Sequence, residues 1–166
     1  QQSSIKWSKR RLQDSITTIA LKDNLKEELQ QLKQNNKYIV LDVAGRDSAE
    51  FRSALLTADV LIIPTQPSQT DIEVLPFVLR LVNTAKQVNK NLKTFVVLNK
   101  APTNNKSTEI DAALELLQQV KSVKTLNTIL RDRKQFRDAM IEGKSVLEMG
   151  SSKAKDELNE FLVEIL

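Results

Sequence analysis

The sequence predicts an α/β protein: a mostly parallel sheet with helices on both faces. Short runs of strand character, residues 38–41, 59–64, 92–98 and 123–130, alternate with segments of helical periodicity, and 38–41, 60–64 and 95–98 stay apolar at consecutive positions. Consecutive apolar residues, rather than in–out alternation, mark strands covered on both faces, as parallel strands are. A third observation concerns function. The first run ends on Asp42, followed by Val43, Ala44 and Gly45, and parallel sheets bind ligands beyond the carboxyl ends of their strands.

Each element follows from local pattern. Residues 5–11 carry the only Trp, Trp7, within a basic cluster. Residues 16–20 are β-branched enough for a short strand. Asp23 or Asn24 can cap a helix reaching about Asn35, with Leu25, Leu29 and Leu32 at helical spacing. Ser48 caps a helix through Thr57, with Phe51, Leu55 and Ala58 on one side. Pro64 stops the second strand, and a polar loop spans 65–70. The next helix reaches about Asn89 on Ile72, Leu75, Leu79, Val82 and Val88. Pro76 must sit in its first turn or kink it. After a loop at 99–106, Ser107 caps an amphipathic helix with Ile110, Ala113, Leu114, Leu117 and Val120 inward. Residues 133–142 form a helix ended by Gly143. Ser151 or Ser152 caps the last helix, whose inner face is Ala154, Leu158, Phe161, Leu162 and Ile165.

Bulk composition narrows the chemistry. The 166 residues are read as a single domain, long enough to fold without disulfide or metal. There is no Cys and no His, which excludes thiolate chemistry and removes the commonest general base and metal ligand. No apolar run approaches the ~18 residues of a membrane span, and Gln1-Gln2-Ser3-Ser4 resembles no secretory signal. A cytoplasmic protein is the simplest expectation. The net charge of +4 permits a nucleic-acid partner without demanding one.

Asp42 is the leading site candidate. A carboxylate at the end of a buried strand is tolerable where a cation, or water on a cation, faces it. The plainer alternative is a turn aspartate. Gly45 lets backbone N–H groups approach a phosphate, or simply makes a turn. Arg46 and Asp47 follow where a mobile loop would respond to phosphate, or form a solvated pair. Asn99 offers a donor and acceptors to a base edge, though such an Asn more often turns the chain. Arg131, Arg133, Lys134 and Arg137, in a basic cluster that begins at Lys121, suit nucleic-acid phosphates. The alternative is a solvated face. Aromatics are 4% of the chain, so base stacking on exposed rings is not expected. With glycines at 45, 143 and 150 alone, no Gly-x-x-x-x-Gly-Lys-Ser/Thr loop can be assembled from these residues.

Several segments together resemble the ParA/MinD-type partition ATPases, the deviant-Walker branch of the P-loop NTPases, and most closely the small plasmid-partition ParA proteins. The telling pieces are Gln1-Gln2-Ser3-Ser4 with Trp7, the run from Tyr38 to Arg46, Ala58-Asp59 through Pro67-Ser68 with Asp71, Val97-Leu98-Asn99-Lys100, and Phe136 through Val146. The resemblance implies a three-layer P-loop NTPase-like sheet. It matches Gln1 to the end of an Asp-x-Asp-Pro-Gln motif, so that the first strand, the Lys-Gly-Gly-x-Gly-Lys-Thr-Thr loop and the motif's aspartates are not among these residues. That first strand lies centrally in the family's sheet, so the strand bearing Asp42 is expected to lose a neighbour and expose an apolar edge.

By the same resemblance Asp42 corresponds to the Walker B aspartate holding Mg²⁺ through water. Gly45 corresponds to the glycine sensing the γ-phosphate, Asn99 to the residue beside the adenine, and the basic residues after Val123 to a surface for nonspecific DNA. The implied activity is ATP hydrolysis in plasmid or chromosome partitioning. It uses an ATP-bridged homodimer and a centromere-binding partner protein, on the nucleoid and without a membrane. Because the loop lysines are absent, these 166 residues alone are expected neither to hydrolyse nor tightly to bind ATP. The alternatives are a nucleotide-independent DNA- or protein-binding module of degenerate fold and, ranked last, an amidotransferase-like synthetase.

Overall fold

The computed structural model describes residues 3–12, 14–22, 25–44, 47–104, 107–120 and 123–166. In chain order the elements are α1 (Ser3–Ser8), α2 (Lys26–Asn35), α3 (Ala49–Thr57), β1 (Val60–Thr65), α4 (Gln69–Lys86), β2 (Lys93–Ala101), α5 (Thr108–Gln118), β3 (Lys124–Arg131), α6 (Lys134–Glu142), a 3₁₀ turn at Val146–Glu148, and α7 (Lys153–Ile165). The strands form a parallel sheet in the order β1-β2-β3. The α/β class with helices flanking a parallel sheet, consistent with a P-loop NTPase-like fold, is therefore observed.

β2 is central and buried on both faces: Val96, Val97 and Leu98 are consecutive and almost fully enclosed. Val96 and Leu98 pack with Leu75 and Leu79 of α4 and with Ile110, Ala113 and Leu117 of α5. A second cluster joins Phe51 and Leu55 of α3 to Val78 and Val82 of α4. Ser48 caps α3 by accepting from the Phe51 N–H, and Ser152 caps α7 by accepting from the Lys155 N–H. Gly143 ends α6 at φ 67°, the left-handed conformation read from sequence.

Three expectations need correcting. Residues 38–44 take no regular secondary structure and pair with no strand. Their burial alternates: Ile39, Leu41 and Val43 pack on Leu25, Leu29 and Ala54, while Tyr38 is 74% and Val40 92% exposed. The apolar composition of a two-sided strand is present, but only one side has something to pack on. Residues 16–20 likewise form no strand, and Ile16 and Ile19 are exposed. Finally, α4 begins at Gln69, so Pro76 lies beyond its first turn and inside the helix. Having no N–H, Pro76 leaves the Ile72 carbonyl without its helical bond. The candidate caps Asp23 and Asn24 lie outside the described residues, where α2 is preceded by Leu25.

Candidate functional site at the carboxyl ends of the strands

β2 and β3 end side by side, and their ladder is irregular there. The register shifts between Leu98 and Ala101 as those residues pair with Ile129 and Arg131. Such irregularities re-aim side chains near ligand sites. Within this stretch Lys100 has φ 52°, a left-handed backbone that a non-glycine residue adopts at a cost. Asn99, Lys100, Arg131, Asp132, Phe136 and Arg137 line an open cavity of about 420 Å³ with Met140 and Ile141. Arg131 adds a donor with no acceptor: its Nε is buried and makes no hydrogen bond.

The structure thus brings Asn99 together with two of the predicted DNA-contacting residues, Arg131 and Arg137. Lys100 joins them. Asp42 is not part of this cavity. It is exposed rather than enclosed at a strand end, because its segment faces solvent at every second residue. Its Oδ2 accepts a 2.5 Å bond from the Ser4 hydroxyl of α1. Asp42 thus offers one carboxylate beside one hydroxyl, whereas Mg²⁺ takes one or two protein carboxylates together with substrate phosphates and its own waters. No group of three or more metal-ligating side chains occurs among the described residues. Gly45 and Arg46 lie outside the described residues.

All four predicted DNA-contacting cations have carboxylate partners. Arg131 and Arg133 both bind Glu157 of α7, at 3.1 and 2.7 Å. Glu157 is only 7% exposed and also accepts from the Arg131 backbone N–H. Burial pushes its carboxyl up, but the bonds from Arg133 and Arg131 outweigh that and leave it below the usual carboxylate range. Lys134 pairs with Asp138 and Arg137 with Asp132, in exposed contacts. Lys134 and Arg137 therefore keep most of their surface in water, whereas Arg131 and Arg133 are tied to the α7 scaffold.

Sequence reasoning missed Glu157 and Glu164, which look like surface positions of an amphipathic helix. They are seven apart, and so fall on one helix face. Glu164 accepts from the N–H groups of Asn127 and Thr128 and from both of their side chains. Two α7 carboxylates thus satisfy the outer edge of β3 in place of another strand. The N-terminal segment is also anchored by unforeseen bonds. Trp7 Nε1 donates to the Lys144 carbonyl, Arg10 to that of Met140, and Arg11 to that of Gly143 and to both carboxylate oxygens of Glu148.

A family model described as an AAA domain matches residues 3–96, more than half of the chain. Among curated proteins, the chain is 27% identical over 143 residues to the maintenance of carboxysome distribution protein A of Halothiobacillus neapolitanus, covering 84% of this chain and 65% of that protein. It is 24% identical over 135 residues to the sporulation initiation inhibitor protein Soj of Bacillus subtilis, covering 80% of this chain and 52% of that one. The chain thus spans less than two thirds of the length of either relative. With more than half of its residues matched and its motifs in order, the chain belongs to this AAA-domain family and is related to the ParA/MinD-type partition ATPases.

Proposed function

We propose that this chain is a single-domain part of a ParA-type positioning ATPase of the cytoplasm. The carrying observation is the cavity at the carboxyl ends of β2 and β3, where Asn99 stands beside Arg131. In this reading Asn99 hydrogen-bonds the adenine edge, and Arg131, held by Glu157, forms the wall beside it. Asp42 holds Mg²⁺ through water, with Ser4 orienting the carboxylate, and the Gly45 amide senses the γ-phosphate. When bound, Mg²⁺ supplies charge neutralisation at the phosphates. ATP brings two copies together, and the dimer holds DNA nonspecifically through Arg131, Arg133, Lys134 and Arg137 while a centromere-binding partner stimulates hydrolysis. The two relatives differ in what their names say they act on, so the cargo here is left to the partner protein.

The test is equilibrium Mg-ATP binding by the product of the complete native reading frame, with Asp42→Ala as the control. Saturable, Mg²⁺-dependent binding that Asp42→Ala weakens supports the reading. Absence of binding by the complete product removes it and leaves a nucleotide-independent scaffold. The polypeptide 1–166 alone is expected to bind weakly or not at all, since it contains no phosphate-cradling loop.

A further inference from the structure

Asp42 lies on a segment that pairs with no strand, yet its carboxylate has a fixed neighbour. The Ser4 hydroxyl donates to Oδ2 at 2.5 Å, which sets the rotation of the carboxylate. Ser4 belongs to α1, so whatever places α1 decides whether this bond exists.

α1 has six residues and none of them is buried, so neither helix propagation nor a core accounts for its position. Its tether is polar and ends on one corner of the fold, between α6 and the 3₁₀ turn. Trp7 Nε1 donates to the Lys144 carbonyl at 3.0 Å and Arg10 Nη1 to the Met140 carbonyl at 3.1 Å. Arg11 makes the most contacts. Its guanidinium lies 5.0 Å from the centre of the Trp7 ring, donates to the Gly143 carbonyl, and meets the two oxygens of Glu148 at 2.9 and 2.7 Å. The Arg11 side chain is 5% exposed, so this pair is shielded on the cation's side, unlike the solvated pairs of Lys134 and Arg137. Glu148 is fixed in turn, because it accepts from the Ser145 N–H in the capping box of the 3₁₀ turn.

We propose that Glu148 is a positioning residue for Asp42, acting through Arg11, α1 and the Ser4 hydroxyl. This rests on the reading of Asp42 as the carboxylate that faces hydrated Mg²⁺, and carries that site to a residue touching neither metal nor nucleotide. Glu148 holds Arg11, Arg11 keeps α1 on the α6 corner, and α1 presents Ser4 to Asp42. With the tether cut, the Asp42 side chain regains rotamer freedom that ligand binding must then remove. Because the contacts act in series, losing the first or the last should have the same effect, and losing both should add nothing.

The experiment compares wild type, Ser4→Ala, Glu148→Gln and the double variant, each as the product of the complete native reading frame. The nucleotide-free readout is the ¹³C resonance of the Asp42 carboxylate, assigned through its loss in Asp42→Asn. It should move in Ser4→Ala, move in the same direction in Glu148→Gln, and stay in place in Glu164→Gln, which disturbs the α7–β3 contact without touching α1. The second readout is the gain in ATP affinity on adding Mg²⁺. That gain should fall about threefold to tenfold in either single variant and no further in the double, while Ser4→Thr, which keeps the hydroxyl, should retain it. A resonance unmoved by Glu148→Gln overturns the proposal, as does an equal shift in Glu164→Gln. Losses that add in the double variant overturn it too. If wild type binds no Mg-ATP, the nucleotide reading fails by itself and the resonance still decides whether Glu148 positions Asp42. Circular dichroism checks that each variant is folded. Should Glu148→Gln not fold, Arg11→Lys takes its place, since it keeps the charge and loses the two-pronged contact.

Discussion

Glu157→Gln isolates the ion triad that ties α7 to the end of β3. The wild-type carboxylate receives three guanidinium bonds, from Arg131 Nη1 and from Arg133 Nε and Nη2, besides the Arg131 backbone N–H. The glutamine keeps the shape and one acceptor oxygen but sets its NH₂ against donors, and two cations lose their anion. Breaking a fully buried pair costs about 3–5 kcal/mol. Here the Arg131 and Arg133 side chains are 23% and 17% exposed, so water recovers part of the loss. A cost of about 2–3 kcal/mol follows. At about 2–4 °C per kcal/mol for a chain of this size, the melting temperature should drop by roughly 4–12 °C. Urea denaturation followed by circular dichroism measures the first figure and a thermal scan the second. Replacing Arg131, Arg133 and Glu157 together by Met should restore most of the loss, because no charge is then left unpaired. A cost under about 0.5 kcal/mol, the range of exposed pairs, would refute the reasoning. So would strict additivity across the substitutions.

Three other outcomes are expected. Gly143→Ala places a side chain at φ 67° with its Cβ 2.5 Å from the Arg10 carbonyl carbon, and should cost about 2–3 kcal/mol. Trp7 emission should shift to the red as the N-terminal segment loosens, and an unshifted spectrum with unchanged stability would contradict the packing. Glu148 is held down to about 2 from 4.5, first by its bonds from Arg11 and then by the Ser145 N–H. A depressed carboxyl stabilises fully above its unfolded value, and that contribution is lost as pH falls from about 4.5 through about 2. The acid transition read by Trp7 should therefore flatten over that window in Glu148→Gln, and an identical transition in the two proteins would count against it. For DNA, Lys134→Ala/Arg137→Ala tests the surface without touching Glu157. The slope of log affinity against log salt should fall by about one unit per lost phosphate contact, and an unchanged slope removes these two residues from the interface.

The sequence made most of the helices and the three paired strands legible because each carries its own signal, while α1 was not read as a helix and Ser107, read as a cap, makes no side-chain cap bond. Ser48 and Ser152 cap as read, Gly143 terminates as read, and the consecutive apolar residues of β2 announce burial on both faces. What it did not make legible depends on neighbours. The run at 38–41 has a strand's composition, yet composition cannot say whether another strand lies beside it. Arg131 and Arg133 look like free cations in a linear reading. Their partner, Glu157, is 24 to 26 residues away, and a buried glutamate has no signature distinct from an exposed one. Asn99 was found because it follows the clear run at 92–98, although β2 continues through it to Ala101. Lys100 and the Arg131 Nε were not, because left-handed strain and an orphaned donor are properties of coordinates.

The two parts of the candidate site are held by different means. The Asn99 cavity is formed between the ends of β2 and β3, where they lose register, and Phe136, Arg137, Met140 and Ile141 of α6. Asp42 sits on an unpaired segment, and its side chain accepts a hydrogen bond from Ser4. α1 is only six residues long, too short to hold its shape unaided. It is held because Trp7, Arg10 and Arg11 donate to the carbonyls of Met140, Gly143 and Lys144, groups at the end of α6 that have no further helical turn to bond. The close approach of Arg10 requires the bare backbone of Gly143. Thus the orientation of the Asp42 carboxylate runs through Ser4 and α1 to the corner where α6 turns toward α7, some hundred positions further along the chain. That chain of contacts is short and specific, and it gives a carboxylate on a solvent-facing segment a fixed hydrogen-bond partner that the segment itself does not supply.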